Sequence, residues 1–389
     1  MKENYKLSIN SHLDPESNVF FFWKGRVALY AILQALGVGE GNEVILPALT
    51  CVVVPNAIMY LGAKPVYIDV DPRTYNIDPA GIEEKISKRT KVILAQNTFG
   101  LSSDLDEICS VARKHGLHVV EDCAHGFGGK YKDRPNGTIA DAAFFSTQWN
   151  KPFSTGVGGF AVTRNPELSM RLPEIEKQAA RPSFAETLLL KMQLFLNDHF
   201  LNRTTYWTAI TTYRFLSRHN IVVGSSQGEE LESPQMPEDF LKGMSAAQAA
   251  RGIKELKRFG SNLNHRKKIA QMYKNILVDL GIEAPFEPGY AEHTFTKFPL
   301  LVKERKTFLA DAEKSRIEIG DWFLSPIHPV TDGVHRWHYH HGENPVAEKL
   351  SAHLVNLHTH TKIDERYVRK IENFLRRNKD NIFGSFEEV

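Results

Sequence analysis

Residues 117–151 read LHVVEDCAHGFGGKYKDRPNGTIADAAFFSTQWNK. The stretch opens on an apolar strand, LHVVE (117–121), and Asp122 closes it. It returns through a second strand, AAFFS (142–146), and reaches Lys151 five residues after Ser146. Strands this short and continuously apolar belong to sheets covered on both faces. A carboxylate ending one is costly unless it is paired, so Asp122 faces a cation or a polar site. Taken singly, Asp122 reads equally well as a cap on the next turn, and Lys151 as a surface lysine.

Outward from this stretch the same unit recurs. RVALYAILQAL (26–36) has helical apolar spacing and stops at Gly37. EVILP (43–47), VYIDV (66–70), VILAQ (92–96) and GFAVT (159–163) read as further strands, with helices beginning near Pro55, Asp78 and Asp104 between them. Leu105, Ile108 and Val111 share a face of the last. Alternating strands and helices predict a mainly parallel α/β sheet with helices on both faces. Ligands of such sheets bind beyond the carboxyl ends of the strands, which singles out Asn97, Asp122, His125, Ser146 and Lys151. A long helix starts near Ser245 and runs through AAQAARGIKELKRF. The reading therefore divides the chain into a large domain, 1–244, and a smaller α/β domain, 245–389. A helical insertion at about 181–223 carries Phe184, Leu188, Met192 and Phe195 on one face. Packing within the fold or at a subunit interface is the first reading of that face, and a membrane-surface or partner-binding helix the second.

Composition narrows the function. A chain of 389 residues accommodates two or three domains and needs no disulfide to fold. Lys and Arg number 48 against 46 Asp and Glu, so no global charge excess points to nucleic acid. Cys51, Cys109 and Cys123 are too few and too scattered for a disulfide framework, which fits a reducing cytoplasm. The first residues lack the apolar core of a signal peptide, and no apolar run reaches the ~20 residues of a membrane span.

Together, Asp122 and Lys151 fit pyridoxal 5'-phosphate (PLP). Its aldehyde needs a lysine, and its ring nitrogen needs a carboxylate to remain protonated. Its phosphate needs hydroxyls and a helix N-terminus, which Gly25 and Arg26 can supply at the start of the first helix. Ser154, Thr155 and the glycines 156, 158 and 159 offer further hydroxyls and N–H groups.

These residues lie in stretches that resemble the DegT/StrS family of sugar aminotransferases, which have the fold type I of PLP-dependent transferases. The matching stretches include GRVALYAILQALGVGEGNEVILPALT (25–50), NAIMYLGAKPVYIDVDPRTYNIDP (56–79), RTKVILAQNTFG (89–100), the region from Asp104 to Ser146, the lysine loop and GMSAAQAARGIKEL (243–256). The resemblance implies that Lys151 is the Schiff-base lysine and proton shuttle, and that Asp122 pairs with the pyridinium nitrogen. It places His125 beside the cofactor ring, Ser146, Gly25 and Arg26 at the phosphate, and Thr50 and Cys51 at the cofactor. It implies glutamate as amino donor, a nucleotide-linked keto sugar as acceptor, and a homodimer. Retention of Lys151 separates the chain from the family's dehydratase branch.

The chain departs from the family pattern at several positions. Gly25-Arg26 stands where many members have Gly-Thr, and Cys51 where an aromatic ring often stacks on the cofactor. Gly156-Val157-Gly158-Gly159 replaces GEGG, and Leu241 occupies the place of an Asn that reaches the neighbouring subunit's phosphate. The histidines of HRWHYHH (335–341) and HLVNLHTH (353–360) supply no convincing metal-ligand set, so no metal is expected. His328 sits where relatives have a loop near the active site, and is a candidate substrate contact. Cys123 lacks a base and reads as a small buried residue. A PLP-dependent elimination, a non-sugar ketone or aldehyde acceptor, and a PLP-binding regulator without turnover are the competing readings.

Overall fold

The apolar strands of the first half assemble into one seven-stranded sheet in the computed structural model, which describes residues 1–200 and 229–389. The order across it is Asn18–Phe22, Gly159–Thr163, Ala142–Ser146, His118–Asp122, Thr90–Gln96, Glu43–Pro47 and Lys64–Ile68. The last five are mutually parallel. Gly159–Thr163 runs against them, and Asn18–Phe22 is antiparallel to it in turn. Parallel neighbours need crossovers, and helices such as Val53–Met59 and Leu105–His115 supply them. Asp104 caps the second of these by accepting from the Glu107 N–H, and Gly116 ends it in the left-handed region.

The helix Gly25–Ala35 buries nearly its whole surface, with Val27, Ala28, Leu29, Ala31, Ile32 and Leu33 at 1% exposure or less. A helix apolar on every side belongs inside a protein. It lies over the strands Ala142–Ser146 and Gly159–Thr163, with its N-terminus at their active edge. Several elements escape the sequence reading, two of them at the N-terminus. The helix Lys2–Asn10 is mostly polar and anchors itself through Tyr5 and Ile9, and Asn18–Phe22 forms the sheet edge.

Beyond residue 245 the expected long helix is two. Ser245 and Gln248 form a capping box at Ala246–Leu256, and Phe259–Asp279 follows after a turn. The break lets the segments pack on different partners. Gly252 lies against the Tyr5 ring, whereas Phe259 packs edge-on against Phe127. A second core forms around Ile269, Tyr273, Phe298, Phe308, Val355 and Phe374. It surrounds a small antiparallel sheet of Phe298–Leu301, Leu354–Leu357 and Ile319–Gly320.

The apolar face of the insertion is open in the single chain, so packing within the fold is not its role, and the interface readings stay open. Helix Phe184–His199 begins with a Ser183–Glu186 capping box, but Phe184, Leu188, Met192 and Phe195 face outward, each more than half exposed. Leu190 and Leu194 make the inward contact instead, with Trp23 and Val157. The expectations for residues 201–223 lie outside the described residues.

Candidate active site

Asp122 ends its strand opposite Gln96 on one side and Phe144 on the other. The register thus places it on the carboxyl edge of the parallel strands. It is 5% exposed, and its Oδ1 accepts from the Ala124 N–H at 2.9 Å. Burial pushes its pKa up to about 6, against the Ala124 N–H and the charge of Lys151. One residue earlier the side chain points the other way. Glu121 accepts from the N–H groups of Gly137, Ile139 and Ala140 and ties down the loop before the next strand. Cys123 is buried, and burial raises its thiol well above the ordinary range, so it is no nucleophile.

Lys151 sits on a loop that extends the strands ending at Ser146 and starting at Gly159. The Thr147 N–H bonds the Gly158 carbonyl at 2.9 Å, and the Trp149 N–H bonds that of Gly156 at 3.0 Å. Asn150 and Gly156 take positive φ to turn the chain. The loop hydroxyls serve the loop itself. Thr147 and Thr155 bond each other at 2.6 Å, Thr155 donates to the Val157 carbonyl, and Ser154 accepts from the Gly156 N–H. Thr155 is thereby committed within the loop, whereas Ser154 only accepts and its O–H is still able to donate. Burial lowers the Lys151 pKa, while Asp122 counters the shift.

The other candidates converge unequally. An added Cβ at Gly25 would lie 3.0 Å from Ser146 Cβ, and one at Gly159 would lie 2.3 Å from the Gly25 nitrogen. Only glycines allow the helix N-terminus to press this closely onto Ser146. That terminus has no side-chain cap, which suits an anion. Arg26 is buried and ion-paired with Glu230, so its charge is already shared with an acid. Thr50 is fully buried, and its hydroxyl donates to Gln96 Oε1 at 2.8 Å. Cys51 lies beside His328, because Thr50–Cys51 and Ile327–His328 pair as parallel strands. His328 is held by the Leu324 N–H donating to its Nδ1 at 2.9 Å, and burial depresses its pKa to about 3.

The C-terminal segment adds residues that sequence reasoning missed. The Trp322 ring centroid lies 4.0 Å from that of His328 and 5.9 Å from that of His125. Lys151 Nζ is 5.4 Å from the same centroid, and so is Lys297 Nζ. Trp322 Nε1 is buried with no acceptor among the described residues. His125 stacks at 6.4 Å on Phe99, and its carbonyl accepts from Thr294 and Thr296. Burial, with Lys151 and Lys297 nearby, keeps its imidazole neutral. No short motif marks Trp322 or Lys297; the pairing at residues 326–328 carries Trp322 to the edge, and the bonds of Thr294 and Thr296 to the His125 carbonyl carry Lys297. Glu318, His358 and His360 also bring one ligand atom each within 4.8 Å of one another. Burial first, then Lys297 and Arg266, depress His358, and the same two cations disfavour a dication there.

The set fits a pyridoxal phosphate. A buried carboxylate, a lysine of lowered pKa, a neutral imidazole and an uncapped helix N-terminus gather at the strand ends.

A model of the DegT/DnrJ/EryC1/StrS aminotransferase family matches residues 18–190 and 214–376. The chain is 28% identical over 354 residues to the GDP-perosamine synthase of Caulobacter vibrioides, covering 89% of this chain and 82% of that one. It is 38% identical over 345 residues to the L-glutamine:2-deoxy-scyllo-inosose aminotransferase of Streptoalloteichus tenebrarius, covering 86% and 75%. Its fold matches an aminotransferase from Psychrobacter cryohalolentis with a TM-score of 0.75 at 22% identity, covering 98% and 91%. A PLP-form structure from Streptococcus pneumoniae matches with a TM-score of 0.74 at 23% identity, covering 98% and 92%. The chain belongs to the DegT/DnrJ/EryC1/StrS aminotransferases and is, with them, an enzyme that works with pyridoxal phosphate.

Proposed function

We propose that the enzyme moves an amino group from L-glutamate or L-glutamine to the ketone of a sugar or a related polyhydroxylated ring, in the assembly of a glycan or an antibiotic. The observation that carries the reading is the convergence of Asp122 and Lys151 on one buried edge. Bound PLP supplies an electrophilic carbon for the incoming amine and a ring that accepts electrons. Lys151 is its covalent anchor in the resting enzyme. Once displaced, the Lys151 amine takes the proton from the donor's α-carbon, a role that its lowered pKa suits. Asp122 would hold the ring nitrogen of the bound cofactor and keep a proton on it, and that positive charge would draw the carboxylate back into its ionised form. Neutral His125 and the aromatic pair Trp322 and Phe323 border the reacting atoms and limit water. Gly25 and Ser146 receive the phosphate on the helix N-terminus, with the Arg26–Glu230 pair behind them.

One named relative makes the nucleotide-linked sugar GDP-perosamine and another is an aminotransferase of the free ring 2-deoxy-scyllo-inosose, so nucleotide-linked and free ring ketones are both the acceptors to test. The working unit in this reading is a homodimer in the cytoplasm, with residues 245–389 as its smaller domain. No helix among the described residues is long and apolar enough to cross a membrane. A single-turnover experiment tests the proposal. L-glutamate added to the PLP-loaded enzyme should give one equivalent of 2-oxoglutarate and a spectral change that a keto-sugar acceptor reverses. A Lys151→Ala protein should do neither. Absence of keto acid with either donor in the wild type contradicts the reading.

A further inference from the structure

Lys297 is a buried lysine with no acid against it among the described residues. Its residue is 7% exposed, and among the described residues its ammonium makes no hydrogen bond and no ion pair. Its contact is the Trp322 face, at 5.4 Å. Neighbouring acids exert only a distant pull, from Asp321 and Glu318. Behind it Arg266, 8% exposed, donates to the Thr296 carbonyl and the Thr359 hydroxyl, and it too has no acid partner among the described residues. Burying a lysine without a partner is costly, and a charge left so is an anion site awaiting its ligand. Burial first, and then Lys151, lower its pKa to about 8, which still leaves it mostly charged near neutrality.

Its position specifies the anion. Lys297 and Lys151 stand at the same distance from one indole ring, and of the neighbouring charges Lys151 depresses Lys297 most. Lys151 works at the donor's α-carbon, and the donor's α-carboxylate is attached to that carbon. We propose that Lys297 is the residue that recognises the α-carboxylate of the amino donor, with Arg266 reinforcing the positive wall. The inference rests on the aminotransferase reading. It predicts that glutamate and glutamine depend on Lys297 alike, since they share the α-carboxylate and differ at the side chain.

The test is Lys297→Met, which keeps the volume and removes the charge. Loss of a charge-assisted contact should raise the KM of both L-glutamate and L-glutamine roughly 10- to 100-fold, leaving the acceptor's KM unchanged. Lys297→Arg should recover part of the loss. Calorimetric titration with 2-methyl-L-glutamate, which has the carboxylate but no α-hydrogen, should show the same weakening without turnover. The Met variant should also melt higher than wild type, because an unpaired buried charge has gone. Weakened glutamate with unaffected glutamine would assign Lys297 to the side-chain carboxylate and overturn the proposal. So would a rise confined to the acceptor's KM, or unchanged binding of 2-methyl-L-glutamate. If the wild type itself forms no keto acid from either donor, the aminotransferase reading has failed instead.

Discussion

Asp122→Asn should make the cofactor-free protein more stable and the loaded protein less so. Without the cofactor, burial raises the Asp122 pKa from 3.8 to about 6. That is about two units, each worth about 1.4 kcal/mol, so ionised Asp122 costs the fold about 3 kcal/mol. The sign follows from proton binding. The folded chain holds this proton more tightly than the unfolded one. Its stabilising effect is complete below about pH 4 and is lost as the pH rises through 6. The substituted asparagine does not titrate, and its Oδ1 still accepts from the Ala124 N–H. Urea unfolding of the stripped proteins should therefore give similar midpoints at pH 4 and an Asn variant more stable by about 3 kcal/mol at pH 8. Adding PLP should reverse the order at pH 8, because the variant lacks the partner of the ring nitrogen. An Asn variant no more stable than wild type at pH 8, or stabilised equally at pH 4, would refute the reasoning.

Other substitutions probe the frame of the site. Gly159→Ala puts a Cβ 2.3 Å from the Gly25 nitrogen, so the helix N-terminus must shift. We expect a loss of about 1–3 kcal/mol and weaker PLP binding by titration, whereas Gly260→Ala, with open space around it, should lose neither. Glu121→Gln turns an NH2 group toward backbone N–H groups that the carboxylate now accepts from, and should cost about 1–3 kcal/mol in urea unfolding, offset in part at neutral pH because burial raises the pKa of the carboxyl it removes. Cys123 should resist alkylation in the folded protein and react on unfolding, since it is buried and its thiol stays protonated.

Where local chemistry decides the outcome, the sequence is a good guide. The strands 43–47, 142–146 and 159–163 fall where their apolar runs lie, and Asp104 and Ser245 cap helices as their side chains predict. Asp122 is legible because a carboxylate at the end of a buried strand is anomalous without a partner. The helix Lys2–Asn10 is not, because a few buried residues on a polar helix leave no period to detect. The face of Phe184, Leu188, Met192 and Phe195 is legible as an apolar stripe, but spacing does not say what covers it, and each residue is more than half exposed in the single chain. Arg26 reads toward the phosphate, and the buried Glu230 that takes its charge is 204 residues away in sequence. Trp322 enters through pairing between Thr50–Cys51 and Ile327–His328, and Lys297 through the bonds of Thr294 and Thr296 to the His125 carbonyl, contacts between chain segments that no local pattern encodes.

The central claim is that Lys151 carries the cofactor against Asp122. Borohydride reduction of the PLP-loaded wild type, followed by proteolysis and mass spectrometry, tests it directly. The account predicts one pyridoxyl-bearing peptide per chain, modified at Lys151, and loss of that modification in Lys151→Ala. A modification at Lys24 or Lys297, whose pKa values burial also depresses, or none at all, would contradict it.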